Sequence, residues 1–78
     1  MEIEIITPEK KLFEGSILSV LIPGTSGEFE ILNNHAPVIS NLKSGKIRVI
    51  DENNQSLFFE INSGVIEMQN NKIIILAE

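Results

Sequence analysis

Seventy-eight residues carry six Lys and Arg against eleven Asp and Glu, a formal net charge of -5, and no cysteine. So few cations argue against a phosphate backbone as ligand, and the missing thiols exclude disulfides and thiolate sites. A single domain of this size holds only about 3 to 5 kcal/mol of net stability without staples or partners.

The opening Met1-Glu2-Ile3-Glu4 lacks the basic start and apolar block of a secretory leader, and no apolar run approaches the roughly 20 residues needed to cross a bilayer. The expectation is a soluble chain that meets a membrane only through a partner. Isoleucine-rich runs are then punctuated at Gly15-Ser16, Pro23-Gly24, Asn33-Asn34, Ser44-Gly45, Glu52-Asn53-Asn54, Ser63-Gly64 and Asn70-Asn71. This is close to the roughly 8 to 12 residue spacing of sandwiches and barrels, and it predicts an all-β chain of about nine or ten short strands. No linker, low-complexity tract or repeat interrupts residues 1–78, which read as one domain; only residues 37–42 suit a short helical turn.

The segment PGTSGEFEILNNHAP, residues 23–37, combines two turns with a short amphipathic strand and carries the lone histidine. Pro23 restricts one φ, Gly24 and Gly27 permit others, and Asn34 can enter the left-handed region. These four residues are expected to shape the loop. Further on, Ile47 and Val49 alternate with Lys46, Arg48 and Ile50, and Leu57, Phe59 and Ile61 with Phe58 and Glu60. If Asn70 and Asn71 form a two-residue turn, Gln69 pairs with Lys72, Met68 with Ile73 and Ile66 with Ile75. That register puts Ile66, Met68, Ile73 and Ile75 on a core face, and leaves Val65, Ile74 and Leu76 beside Glu67 on the other. A sandwich needs one apolar face per sheet, so Ile50, Phe58, Ile74 and Leu76 form a candidate protein-facing patch. The competing reading is that bends and edge strands cover them.

Chemistry is sparse. His35 is the only histidine, so a three-histidine zinc site is excluded. Asp51-Glu52 followed by Asn53-Asn54 lacks the spacing of a calcium loop and reads as a solvated hairpin turn. Seven serines beside His35 and Asp51 make a triad formally available, but nothing resembles a nucleophile elbow, and a sandwich this small is expected to leave little room for a pocket of about 300 Å³ or more. Glu28 and Glu30 share one strand face rather than opposing across a cleft. Gly24 and Gly27 lack the Gly-Lys-Ser/Thr of a phosphate loop. No catalytic residue, metal or cofactor is expected.

Taken together, Thr7-Pro8-Glu9, Leu12-Phe13, Gly15, Pro23-Gly24, Gly27-Glu28-Phe29, Ile31-Leu32, His35-Ala36-Pro37, Gly45, Gly64, Glu67 and Leu76-Ala77 resemble the N-terminal domain of the epsilon subunit of F-type ATP synthases. The match runs nearly end to end. Departures fall at Glu30 and Asn34 for glycine, Asn33 for proline, and Ser63 for the first of two glycines. Many relatives continue past the position of Glu78 into a pair of helices used for inhibition, so that activity does not carry over to these residues.

The resemblance implies a two-layer β-sandwich and a non-catalytic rotor subunit of the central stalk. It further implies a peripheral place on the cytoplasmic face of the bacterial plasma membrane, with the gamma subunit and the c-ring as partners. Positions matching Thr7, Glu28 and His35 would meet polar loops of the c-ring, with the histidine bend beside the Thr7 corner. The gamma subunit would lie against the Ile50, Phe58, Ile74 and Leu76 patch. Two other classes stay open: a free-standing sandwich adaptor or ligand-binding module, which should show a concave pocket, and a small hydrolase, which should bring His35 within reach of a serine or carboxylate.

Overall fold

The computed structural model describes residues 1–78 and contains only strands: β1 (Glu2–Ile6), β2 (Lys11–Gly24), β3 (Gly27–Leu32), β4 (Val38–Leu42), β5 (Gly45–Asp51), β6 (Ser56–Ile61), β7 (Gly64–Gln69) and β8 (Lys72–Ala77). There are eight rather than nine or ten because Gly15 and Ser16 end no strand; the 14-residue β2 runs through them. Its first half pairs with β1 as far as Ser16 opposite Glu2, and its second half pairs with β5 and β3. A register shift between Ile17 and Ser19 leaves Leu18 as an extra residue. Such a bulge bends a strand, and here it lets β2 serve both layers.

One layer runs β1-β8-β7-β4, with β1 and β8 parallel; the other runs β3-β2-β5-β6. Residues 37–42, read as a helical turn, instead provide β4, where Val38 pairs with Met68 and Leu42 with Gly64. The alternation of Val38, Ser40 and Leu42 inward with Ile39 and Asn41 outward overrides the local effect of Pro37. The core lies between the layers. Ile3, Ile5, Ile66, Met68, Ile73 and Ile75 come from one side, and Val20, Ile22, Ile31, Ile47 and Val49 from the other, all buried. Each contributes about 1.5 to 3 kcal/mol relative to exposure. Phe13 and Phe59 meet at 5.7 Å between ring centroids, tying the first half of β2 to β6.

The β7–β8 hairpin has the expected register, with Asn70 and Asn71 at φ 54° and 60°. Asn34 and Asn54 also take positive φ, 64° and 63°, so every non-glycine residue in this region is asparagine. Pro23 and Gly24 behave differently from expectation. They lie within β2 opposite Glu28 and Gly27, and the turn proper is Thr25 and Ser26. Of the two glycines only Gly27 has positive φ, 130°; Gly24 is needed for space, since a Cβ there would stand 2.8 Å from the Gly27 oxygen and from the Phe29 ring.

Candidate functional site

Thr7 opens the β1–β2 turn. Its N–H donates to the Lys10 carbonyl at 2.8 Å, while its hydroxyl accepts from the Lys10 N–H at 3.2 Å and contacts the Lys10 carbonyl at 3.0 Å. The hydroxyl is therefore engaged in closing its own turn. Glu28 is exposed on β3, one position from the Gly24–Gly27 pair. It makes no ion pair, unlike Glu30, which takes Arg48 at 3.2 Å. Thr25 N–H donates to the Asn41 carbonyl, and Asn41 lines the same groove as Thr7, so the Glu28 strand end and the Thr7 turn share one end of the molecule.

His35 is elsewhere. Its loop, residues 33–37, is exposed and is bonded to Asn71 in the β7–β8 turn. Asn71 stands before Lys72, the partner of Glu2, whereas Thr7 follows Ile6, the partner of Leu76. The whole β1–β8 ladder lies between them, about 15 to 20 Å at 3.3 Å per residue. The expectation of a histidine bend beside the Thr7 corner is thus corrected: a strand run separates them. The His35 ring contacts the Ala36 carbonyl through Nδ1 at 2.7 Å. A carbonyl only accepts, so Nδ1 carries the proton and Nε2 is left for other partners. No serine or carboxylate bonds the ring, and the hydrolase reading loses its geometry.

The apolar patch also divides. Ile74 and Leu76 lie on the outer face of the β1-β8-β7-β4 layer, while Ile50 and Phe58 lie on the outer face of the other. The parity that put them outside was right, but it carried no information on layer. Around Leu76 the first face is broadly apolar: Val65 pairs with Leu76, and Ile39, 73% exposed, pairs with Glu67 beside Ile74. A helical turn over residues 37–42 would not single out Ile39; the alternation in Val38–Leu42 is the signal in the sequence that does. Leu32 joins Ile50 and Phe58 on the opposite face, around the Arg48–Glu30 pair.

An open groove of about 580 Å³ lies at the Thr7 end, against the expectation of little pocket volume. Ile6, Val65 and Leu76 form one row across its sheet, and the Thr7-Pro8 turn lines it alongside them. Glu78 supplies its only ionisable side chain, and Thr7, Asn41 and Ser63 are the uncharged polar residues of its wall.

Charge gathers on β1 and its neighbours. Lys11 Nζ lies 2.9 Å from Glu14 and 3.0 Å from Glu4, and Lys72 Nζ lies 3.7 Å from Glu4. Hydrogen bonds to Glu14 and then to Glu4 raise the Lys11 pKa above its ordinary value. Hydrogen bonding from Lys11, with the added field of Lys72, holds Glu4 below the usual carboxylate range despite some desolvation.

Residues 1–78 match the family described as ATP synthase, Delta/Epsilon chain, beta-sandwich domain. The ATP synthase epsilon chain of Chlorobium limicola is 40% identical over 77 residues, covering 99% of this chain and 88% of the relative. That of Chlorobaculum tepidum is 42% identical over 76 residues, covering 97% and 86%. Among solved structures, a chain of the Euglena gracilis mitochondrial ATP synthase, resolved as OSCP/F1/c-ring, superposes with a TM-score of 0.90 at 16% identity, over 96% of this chain and 48% of that one. At that identity the likeness concerns the fold.

Proposed function

The chain belongs to the β-sandwich family of ATP synthase delta and epsilon chains, and we propose that it serves as a non-catalytic central-stalk subunit of a proton-translocating F-type ATP synthase, linking the gamma subunit to the c-ring. The observation that carries this reading is the family match along all 78 residues, together with epsilon-chain relatives at 40% and 42% identity. The reading includes a peripheral position on the cytoplasmic face of a bacterial plasma membrane, reached through the complex.

The geometry suggests how the work is divided. The Thr7 and Glu28 end meets the polar loops of the c-ring: Glu28 is exposed, acidic and unpaired, ready for a charge-assisted bond from a basic loop. His35, at the far end of the β1–β8 ladder, stands outside that contact. The gamma subunit seats on the apolar row of Ile6, Leu76 and Val65, with Ile74 next to it between Glu4 and Glu67, and Ile50 and Phe58 face away from it. Two sheets packed on one isoleucine core resist shear, which keeps the two attachment surfaces in fixed relation. An exposed ion pair at Glu28 is worth about 0 to 1 kcal/mol, so most of the attachment comes from the gamma face.

Calorimetric titration with purified gamma subunit tests the proposal. Association tighter than about 10 μM is expected, and no heat of binding at that level would overturn it. In the assembled complex, Glu28→Lys should weaken ring attachment and proton-coupled activity while leaving the circular-dichroism spectrum unchanged. Normal coupling by that variant would remove Glu28 from the contact.

A further inference from the structure

We propose that the Asn71 side chain is a latch that holds the His35 loop in one conformation. Residues 33–37 are all exposed and belong to no strand. Within the loop, the restraints are a bond from His35 N–H to the Leu32 carbonyl at 3.1 Å, the His35 Nδ1 bond to the Ala36 carbonyl at 2.7 Å, and the positive φ of Asn34. Its hydrogen bonds to another element are two, and both go to one residue. Asn34 N–H donates to Asn71 Oδ1 at 2.9 Å, and Asn71 Nδ2 donates to Asn33 Oδ1 at 2.9 Å.

The base of the latch is itself anchored. Asn71 sits at φ 60° in the two-residue turn, and its carbonyl accepts the Glu2 N–H at 3.2 Å. Three segments, the start of β1, the β7–β8 turn and the β3–β4 loop, therefore converge on one asparagine. Glycine adopts positive φ more readily than asparagine, so turn geometry alone does not call for an amide at this position. An amide that accepts from one loop residue and donates to its neighbour is what glycine lacks. The latch presents His35 as a preorganised element, whichever partner its free Nε2 meets, and the inference stands apart from the rotor assignment.

Amide hydrogen exchange followed by NMR on the full chain separates the latch from the turn. In Asn71→Gly the hairpin amides should keep their protection while exchange at Asn34 rises about tenfold. In Asn71→Asp, which retains the acceptor for Asn34 N–H and loses the donor to Asn33, Asn34 should stay protected to within about threefold. Should Asn71→Gly lose the hairpin, Asn33→Ala leaves the turn untouched, removes the second bond alone, and should raise exchange at His35 by about threefold. Unchanged Asn34 protection in Asn71→Gly, equal loss in the Gly and Asp variants, or unchanged His35 exchange in Asn33→Ala would each overturn the proposal.

Discussion

At Gly64 a Cβ would stand 2.7 Å from the Leu76 carbonyl oxygen and 3.3 Å from the Ala77 Cα, and backbone cannot swing aside as a side chain can. Gly64→Ala should therefore destabilise the fold by about 1 to 3 kcal/mol, read from urea unfolding. With no Trp or Tyr in the chain, circular dichroism is the suitable probe. The Glu4 and Lys11 pair makes a prediction about pH. Glu4 has its pKa lowered by folding, so its contribution is present above the unfolded value and fades as pH falls through the folded one, below the ordinary carboxylate range. Lys11, raised by folding, contributes below its unfolded value and fades as pH rises through the folded one. Glu4→Gln should thus flatten the acid limb of a stability-against-pH curve and lower stability at pH 7. An unchanged acid limb would show that the cluster adds nothing measurable.

The elements that were legible in the sequence are those whose pairing is local. In β7 and β8 a two-residue asparagine turn and a strict alternation determine both register and face, and Gln69↔Lys72 through Ile66↔Ile75 appear as expected. Replacing Asn70 with Val, which resists φ 54°, should cost about 1 to 2 kcal/mol and leave the fold otherwise intact, as the thermal midpoint would show. What escaped was non-local. Gly15 and Ser16 look like a turn in isolation, and only pairing with β1 on one side of them and β5 on the other keeps β2 extended. Pro37 obscured β4, whose order comes from β7. Alternation showed that Ile50, Phe58, Ile74 and Leu76 point outward, but topology alone assigns them to two layers. The resemblance that sets Thr7 and His35 at one corner carries no register either, and it is where β1 and β8 end that puts them at opposite ends of a ladder.

At the scale of the whole molecule, two apolar faces point in opposite directions from one shared core, and a single flat partner can cover only one. Leu76→Glu should reduce gamma-subunit affinity at least about tenfold, while Phe58→Glu should leave it within about twofold, both by calorimetry. The opposite ranking would move the gamma seat to the β3-β2-β5-β6 layer. Because the core is continuous between the layers, both variants should still unfold in one transition. The parallel pairing of β1 with β8 has a further consequence, felt during folding. These two strands are the most distant in sequence of all the paired ones, so their ladder closes the largest loop in the fold and is among the last to form. Until it closes, that side of Ile3 and Ile5 is an unpaired strand edge, open to a neighbouring chain.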